Sequence, residues 1–363
     1  MKAYVVEREH LAQNIRAIRE EAGESIVWAV LKGNGYGLGV VQMAELMREN
    51  GIDHFAVTEA REARLLREAG FEESPILMLR QTMEPELIHE LLDLQVIFTV
   101  GSSAAAEALD AVAAERSAMA EVHLKIDTGM GRYGFKPEEL PALLEVYACR
   151  KNIVVGGIYT HFNCAFCDDK RTQKQYTAFR RVVMAIGEAG FEVGMVHCCN
   201  SAAFLKFPQM RSDAVRIGSA FLGRLSFQDG LGLKRIGHAE ATIEELRQLQ
   251  PGDTVGYGAG WRAKRPTKIA VLSIGWYHGF GAEKGRDLFR IRDCIREILH
   301  NLRWIFTGKR LHVCVNGALC SVLGHVGMVN TIVDVTDVDC KIGDLAVLQV
   351  NPLQVKGMKI LYR

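Results

Sequence analysis

The stretch IVWAVLKGNGYGLG, residues 26–39, is an apolar run that ends at a lysine and a glycine-rich turn. Its first part, Ile26–Leu31, carries no charge, which is typical of a parallel strand buried on both faces. The next segment, Val40–Glu49, has apolar residues at helical spacing and charges on the other face. The stretch therefore predicts a strand, a turn and a helix, which together form one βα unit.

The same unit recurs between about residues 11 and 235, with further amphipathic helices such as Glu59–Glu68 and Thr172–Glu188. Eight strands are expected: Ile26–Leu31, His54–Val57, Ile76–Leu79, Val96–Val100, Val122–Ile126, Val154–Tyr159, Met195–Cys198 and Ala214–Ile217. Eight units favour a closed (β/α)8 barrel of the TIM type, although a doubly wound open sheet shows the same alternation. In such a barrel, functional residues lie at the C-terminal ends of the strands.

After residue 238 the pattern changes to short strands interrupted by glycine, which predicts a mostly β domain. Residues Ala3–Val6 could pair with that sheet. We therefore expect a (β/α)8 barrel at 11–237 and a mostly β domain formed by 1–10 and 238–363. Apolar residues three or four apart predict an inserted amphipathic helix near 288–306, buried against the β domain or a partner subunit.

The composition restricts the kinds of partner. Lys and Arg number 44 against 43 Asp and Glu, so the net charge of +1 gives no electrostatic reason to expect nucleic acid or an anionic membrane. No signal peptide or membrane-spanning stretch is evident, which favours a cytoplasmic protein. The nine cysteines fit reduced core thiols, and Cys164 and Cys167 have no second pair to complete a metal site. We expect no bound metal.

Lys32 is the first candidate for chemistry, because a lysine directly after a buried strand is costly unless it has a role. Desolvation lowers the pKa of a lysine and favours the neutral amine, which condenses with aldehydes. The glycines after it let a ligand approach the backbone, and the Tyr36 hydroxyl could bind a phosphate. A solvated lysine in a glycine-rich turn is the alternative.

The Lys32 segment resembles the cofactor-lysine signature of alanine racemases, and further segments similar to that family follow in order along nearly the whole chain. They are LKIDTGMGRYGF (124–135), YTHFNCA (159–165), VHCCNSAAF (196–204), AVRIGSAFLG (214–223) and TVGYGAGW (254–261). The resemblance implies a fold-type III pyridoxal 5'-phosphate enzyme with an N-terminal barrel, a C-terminal β domain and a head-to-tail homodimer with shared active sites. It implies an amino-acid racemase that interconverts L- and D-alanine.

The resemblance also assigns the catalytic bases. Lys32 holds the cofactor covalently and acts on one face of the substrate, and Tyr257 of the other subunit acts on the opposite face. Inversion by proton transfer needs one such group on each face. Arg132 matches an arginine that contacts the cofactor's phenolic oxygen and the substrate carboxylate, both suited to a planar guanidinium. Lys125 matches a lysine that is carbamylated in some members and orients that arginine, or it is an ordinary charge at a strand end.

Two histidines and a second arginine complete the expected surroundings of the cofactor ring. His161 matches a histidine that lies against the ring, and His197 matches one that supports Arg216. In the family, the arginine at the position of Arg216 bonds the pyridine nitrogen. A guanidinium donates hydrogen bonds and keeps its protons, so the ring nitrogen stays unprotonated and the cofactor is a weaker electron sink, which suits racemisation.

The phosphate is expected near the last barrel strands, where Ser201 could also cap a short helix. The expected contacts are Tyr36, Asn200, Ser201, Gly218, Ser219 and Trp276. Trp276 is a departure, because in IGWYHG it replaces a tyrosine that binds phosphate in alanine racemases; Tyr277 or His278 as the substitute is the alternative.

The expected substrate side shows further departures. Met328 in GMVN is kept and its backbone could meet the substrate carboxylate, but Val329 replaces an aspartate. Asn351 replaces a tyrosine of many alanine racemases. These changes are similar to racemase domains associated with vancomycin resistance, so a serine/alanine racemase of broader specificity is the alternative. A fold-type III amino-acid decarboxylase and a noncatalytic pyridoxal-phosphate-binding protein are weaker alternatives.

Overall fold

The computed structural model describes residues 1–228, 230–282, 291–307 and 311–363. The chain divides into two compact units. One comprises Glu7–Ile236, and the other comprises Met1–Val6 together with Gly237–Arg363.

The unit Glu7–Ile236 is a barrel of eight parallel strands, which confirms the predicted (β/α)8 fold. The strands are β2 (Ile26–Val30), β3 (His54–Val57), β4 (Ile76–Met78), β5 (Phe98–Val100), β6 (Ala120–Ile126), β7 (Ile153–Thr160), β8 (Met195–His197) and β9 (Ala214–Ile217). Their order is β4-β3-β2-β9-β8-β7-β6-β5, and a parallel bridge between Leu77 and Ile97 joins the two outer strands. This bridge excludes the doubly wound open sheet.

Helices connect these strands and cover the outside of the barrel. They are α1 (Arg8–Ala22), α3 (Val40–Glu49), α4 (Ala60–Glu68), α5 (Pro85–Asp93), α6 (Ser103–Glu115), α7 (Leu140–Cys149), α8 (Asp169–Glu188) and α9 (Ser201–Lys206). The short segment α2 (Lys32–Tyr36), directly after β2, is a left-handed turn and does not belong to this outer layer. Short 3-10 turns lie at Pro137–Glu139, Pro208–Met210 and Ser219–Leu222. The strands are mostly apolar because both faces are buried, and Trp28, Val30, Ala56, Leu77 and Ile97 belong to one core cluster.

The second unit is built mostly from antiparallel strands. They are β1 (Lys2–Val6), β10 (Gly237–Leu249), β11 (Thr254–Val255), β12 (Trp261–Arg262), β13 (Thr267–Leu272), β14 (His312–Val315), β15 (Ala318–Ser321), β16 (Thr331–Asp334), β17 (Leu345–Leu348) and β18 (Lys359–Tyr362). The first strand of the chain pairs antiparallel with β10 and parallel with β18. Short 3-10 turns lie at Tyr257–Ala259, Trp276–His278 and Pro352–Gln354.

One long helix, α10 (Ile291–Thr307), interrupts the strands of this unit. Of the helix predicted near 288–306, residues 288–290 lie outside the described part of the chain. Its apolar side chains Ile291, Ile298 and Leu302 are 81%, 58% and 44% exposed. Of the two expected alternatives, packing on the β domain is therefore wrong for these residues, because hydrophobic spacing predicts an apolar face but not what covers it. Packing on a partner subunit stays a prediction. Within the described residues, no helix is long and apolar enough to cross a membrane.

Candidate active site

Lys32 follows β2 and begins a turn of left-handed backbone. The φ angles of Gly33, Asn34 and Gly35 are 64°, 55° and 62°, and that of Tyr36 is 57°. Two of these residues are not glycine, and such residues adopt this conformation only at some cost in energy. Other contacts must therefore hold the turn.

Glu62, which the sequence analysis did not single out, holds this turn. Its buried carboxylate accepts a hydrogen bond from the Asn34 N–H at 2.7 Å and from the N–H groups of Thr58 and Glu59 at 2.9 and 3.2 Å. Glu62 is the third residue of α4, where its bond to Glu59 forms a capping box. A glutamate at that helix position is a sequence signal for the cap, but not for the contact with Asn34.

Basic side chains gather where the barrel strands end. Lys125 Nζ and Arg132 Cζ lie 4.3 and 5.2 Å from the centre of the Tyr133 ring. Burial and the charges of Arg216, Lys125, Arg132 and Lys32 hold the pKa of His161 well below its ordinary value. The imidazole is therefore neutral among four basic side chains. The structure thus brings together the five barrel residues that the sequence analysis placed around the cofactor ring and substrate carboxylate.

Lys32 has the electrostatic surroundings of a reactive amine. Its side chain is exposed to solvent, yet partial desolvation and the charge of Arg132 lower its pKa from the ordinary lysine value. Glu62 acts in the opposite direction and does not cancel the shift. A larger fraction of this amine is neutral at a given pH than for an isolated lysine, which favours attack on a carbonyl carbon.

Lys125 is a buried cation at the end of β6. It is 2% exposed, and its Nζ lies 4.3 Å from the centre of the Tyr133 ring. Burial and the charges of Arg132 and Arg216 lower the pKa of Lys125 to about 7, with Asp127 opposing. Close to neutral pH, this lysine is therefore partly a neutral amine.

Asp127, another residue that the sequence analysis did not single out, shapes the loop that carries Arg132. Its carboxylate accepts hydrogen bonds from the N–H groups of Gly129, Met130 and Gly131 at 2.7–3.1 Å. Partial burial raises the pKa of Asp127, but these backbone donors outweigh it and lower the pKa. The Asp-Thr-Gly sequence is a signal for such a turn, since aspartate bonds the backbone N–H groups that follow it.

Arg216 is 3% exposed and held by three hydrogen bonds. Its Nη1 donates to His197 Nδ1 at 2.9 Å and to the His197 carbonyl at 3.1 Å, and its Nη2 donates to the Thr160 carbonyl at 2.6 Å. The guanidinium carbon also lies 4.8 Å from the centre of the Tyr159 ring. The predicted contact between His197 and Arg216 is therefore present.

The expected phosphate contacts Tyr36, Ser201 and Gly218 also lie together. Ser201 Oγ accepts from the N–H groups of Gly218 and Ala220 at 3.0 and 3.3 Å. A Cβ atom at Gly218 would lie 2.1 Å from the Tyr36 hydroxyl, so only glycine fits there. Ser219 follows at the start of its 3-10 turn.

The expectation that Ser201 caps the helix after β8 is wrong. Asn200 is the N-cap of α9, and its side chain accepts from the Ala203 N–H at 3.0 Å. Asn200 also donates to the Phe162 carbonyl at 3.1 Å. Asparagine and serine are both good N-caps, so two adjacent candidates in the sequence could not be told apart.

The candidates from the β unit lie on its surface loops. Tyr257 is 85% exposed, and Trp276 and Met328 are also exposed. The last two belong to segments that are bonded to each other, since the Trp276 N–H donates to the Gly327 carbonyl at 3.0 Å. Asn351 is exposed and caps the 3-10 turn Pro352–Gln354, where its side-chain oxygen accepts from the Leu353 N–H at 3.2 Å.

Comparisons with known proteins identify the family. The descriptions "Alanine racemase, N-terminal domain" and "Alanine racemase, C-terminal domain" match residues 6–225 and 236–358. The chain is 31% identical over 334 residues to alanine racemase 1 of Oceanobacillus iheyensis, covering 90% of this chain and 82% of the relative. It is 36% identical over 286 residues to alanine racemase of Desulforamulus reducens, covering 75% of each.

A solved structure agrees with these relatives. The alanine racemase of Clostridium difficile 630 superposes with a TM-score of 0.86 at 25% identity, covering 100% of this chain and 95% of that one. The match to both domains does not favour a decarboxylase or a single-barrel binding protein, and the relatives' names do not favour the broader serine/alanine alternative. The chain belongs to the alanine racemase family, whose members depend on pyridoxal 5'-phosphate.

Proposed function

We propose that this chain, as an alanine racemase, interconverts L- and D-alanine with Lys32 and Tyr257 as its two proton-transfer groups. The observation that carries the proposal is the cluster of Lys32, Lys125, Arg132 and Arg216 around a neutral His161. In this cluster, the reactive amine of Lys32 lies among other basic side chains. An amino acid and a phosphorylated aldehyde are the kinds of ligand that such a site suits.

The residues present fit pyridoxal 5'-phosphate. The charges of Glu62 and Asp127 offset the basic side chains only in part, because the pKa values of Lys32 and Lys125 stay lowered, so the site favours anionic groups of a ligand. Tyr36, Asn200, Ser201, Gly218, Ser219 and Trp276 would hold the phosphate, His161 would lie against the ring, and Lys32 would hold the aldehyde carbon. When bound, the cofactor supplies an electron-withdrawing ring that stabilises the charge left when the α-proton departs.

The protein's own residues then orient the substrate and move the proton. Arg132 and the Met328 backbone would bind the substrate carboxylate, and Asn351 would line the side-chain pocket. Lys32 Nζ would remove the α-proton from one face while Tyr257 Oη delivers one to the other face. Arg216 would offer only donors to the ring nitrogen, which limits electron withdrawal to what racemisation needs.

The assignment of Lys32 can be tested by chemical labelling. Borohydride reduction of the cofactor-loaded protein should leave one pyridoxyl group on the peptide that contains Lys32, because this amine is the reactive one. Peptide mapping by mass spectrometry gives the position, and Lys32→Arg is the matched control that should lose the label. A label on another lysine, with Lys32 unmodified, would show that the assignment is wrong.

We further propose a homodimer in which Tyr257 reaches the site of the partner. In a single chain Tyr257 is 85% exposed, and neighbouring loops of the β unit expose Trp276, Met328 and Val329, an apolar surface that suits burial against another chain. Mixing inactive Lys32→Ala and Tyr257→Ala variants should restore about a quarter of the activity, because half of the dimers are mixed and one of their two sites is intact.

This mixing experiment is read by racemisation assays after subunit exchange, which differently tagged chains can verify. Each variant mixed with itself is the control and should stay inactive. If exchange is complete and no activity returns, Lys32 and Tyr257 act within one chain and the shared-site proposal fails.

We also propose that Lys125 is carbamylated. A neutral Lys125 amine can attack carbon dioxide, forming an N–C bond and releasing one proton, and the anionic product would be favoured beside Arg132 and Arg216. The neutral amine prevails above the lowered pKa of about 7 and is lost as the pH falls below it. Carbamylation should therefore be strong at about pH 8.5 and weak at about pH 6.

This prediction can be checked by carbon-13 NMR of protein equilibrated with labelled bicarbonate. Lys125→Arg should abolish the carbamate signal. Lys136→Arg, at an exposed lysine on the same connection, should keep it. A spectrum with no Lys125-dependent signal at either pH would contradict the proposal.

A cytoplasmic location is part of the proposal. Cys198, Cys199, Cys320 and Cys340 are buried thiols, which suits a reducing compartment. Fractionation of cells that express the protein tests it.

A further inference from the structure

Two buried histidines extend from Arg216 along the inside of the barrel. His197 and His123 are 0% and 1% exposed, and His123 Nδ1 lies 2.9 Å from His197 Nε2. His197 Nδ1 lies 2.9 Å from Arg216 Nη1. The three side chains therefore form one continuous chain of hydrogen bonds, the histidine relay.

Only one arrangement of protons satisfies every bond in this relay. A guanidinium can only donate, so His197 Nδ1 must accept and the proton of its neutral ring lies on Nε2. His197 Nε2 then donates, so His123 Nδ1 must accept and the His123 proton also lies on Nε2. The direction of donation is thus set from Arg216 through His197 to His123.

Electrostatics keep both rings neutral. Burial and the charge of Arg216 lower the pKa of His123 to about 4. Burial and the charge of Arg216 hold the pKa of His197 well below its ordinary value. Neither ring gains a second proton at neutral pH, which would place a donor against a donor.

Packing holds the two rings in place. The His197 ring stacks on Tyr159 with centroids 4.9 Å apart, and the His123 ring meets Trp28 edge-on at 5.9 Å. A Cβ atom at Gly157 would lie 2.8 Å from His123 Nε2, so glycine at this position of β7 makes room for the imidazole. Neither ring can turn without moving these neighbours.

The far end of the relay reaches the N-terminal end of the barrel, opposite the catalytic cluster. There His123 helps to line a cavity of about 320 Å³ together with Trp28, His54, Glu121 and Gly156. Within the described residues, no side chain bonds Arg216 Nε, while Nη1 and Nη2 are engaged. Three of the five Arg216 N–H groups are thus bonded, and one of these bonds, to the His197 ring, comes from the relay and helps to set the direction of the free Nε–H.

We propose that His123 is a positioning residue that fixes the tautomer of His197 and, through it, the direction in which Arg216 presents its free donor. This inference rests on the proposed function, in which Arg216 faces the ring nitrogen of the cofactor. Without His123, the His197 Nε2–H loses its acceptor, and the other tautomer, which places a donor against Arg216, becomes accessible. Arg216 then loses one of its three hydrogen bonds, and the carbonyls of His197 and Thr160 alone hold the guanidinium less firmly.

The tautomers can be measured in the cofactor-free protein, independently of catalysis. Long-range proton–nitrogen correlation NMR on protein with nitrogen-15-labelled histidine should show His123 and His197 as neutral Nε2–H tautomers. Substitution of each histidine assigns its signals. An Nδ1–H tautomer or an imidazolium at either ring in the unaltered protein overturns the proposal without any functional assay.

Two variants of His123 then separate positioning from packing. An asparagine side-chain oxygen can replace Nδ1 as acceptor, so His123→Asn should keep the His197 tautomer and a kcat within about twofold of the unaltered enzyme. His123→Leu offers no acceptor, so it should shift the His197 tautomer, alter the absorbance spectrum of the bound cofactor and lower kcat about tenfold with little change in KM. His54→Leu, at another histidine of the cavity, is the control and should change none of these.

Equal effects of the leucine and asparagine variants, or an unchanged His197 tautomer in His123→Leu, would refute the role of His123. These outcomes are distinct from failure of the proposed function, which would appear as absence of racemisation in the unaltered enzyme with an intact relay. If His123→Leu does not fold, the tautomers of the unaltered protein and the asparagine variant still decide the question.

Discussion

Replacing Tyr257 with phenylalanine should lower the rate of racemisation about a thousandfold in both directions. A positioned acid or base contributes roughly 10²- to 10⁴-fold to a rate, and without the hydroxyl one face of the substrate has no proton donor or acceptor. Because Tyr257 is exposed in the single chain, loss of its hydroxyl should change the stability of the fold very little. The effect should therefore fall on kcat.

Isotope exchange shows whether the remaining base still works. In deuterated water, Tyr257→Phe should still exchange the α-hydrogen of one alanine enantiomer, because Lys32 remains on one face, while the opposite enantiomer forms very slowly. Proton NMR follows exchange, and chiral chromatography follows racemisation. Tyr176→Phe, on an outer helix of the barrel, is the matched control and should behave as the unaltered enzyme. Loss of exchange with both enantiomers would contradict the assignment of separate bases.

Glu62→Ala should destabilise the barrel by about 2–4 kcal/mol and weaken attachment of the cofactor to Lys32. The buried carboxylate accepts hydrogen bonds from the N–H groups of Asn34, Thr58 and Glu59. In the variant, each of these N–H groups that finds no other acceptor destabilises the fold by about 1–3 kcal/mol. The left-handed turn after Lys32 would lose the bond that offsets the cost of its backbone conformation.

Urea unfolding gives the change in stability, and spectroscopic titration with pyridoxal 5'-phosphate gives the change in attachment. Glu68→Ala removes an exposed glutamate from the same helix and should change stability by no more than about 0.5 kcal/mol. Glu62→Gln keeps one acceptor oxygen and should fall between the two. A Glu62→Ala protein as stable as the Glu68→Ala control would show that Glu62 does not hold the turn.

The fold could be predicted because the sequence repeats a local pattern. Most barrel strands are short apolar runs followed by an amphipathic helix, and burial of both strand faces makes this pattern visible without the structure. All eight predicted strands lie within a few residues of the observed ones. In the same way, the change to short strands interrupted by glycine predicted the second, mostly β unit.

Only some residues of the site could be predicted from the sequence. Lys32, Arg132 and Arg216 stand in segments similar to a known family, so they could be named before their positions were known. Glu62 and His123 could not be found in this way, because an acidic residue in a helix and a histidine in a strand are ordinary locally. Their partners Asn34 and His197 are 28 and 74 residues away in sequence.

The sequence by itself determined the elements, their order and the residue types that can carry charge and protons. These depend on hydrophobic period and on side-chain chemistry, which are local properties. Only the tertiary structure decided that four basic side chains act on His161, that Asn200 rather than Ser201 caps its helix, and that the apolar face of α10 is exposed. The reason is physical: pKa shifts, hydrogen-bond partners and burial depend on distances of a few ångströms between segments that the chain brings together only when it folds.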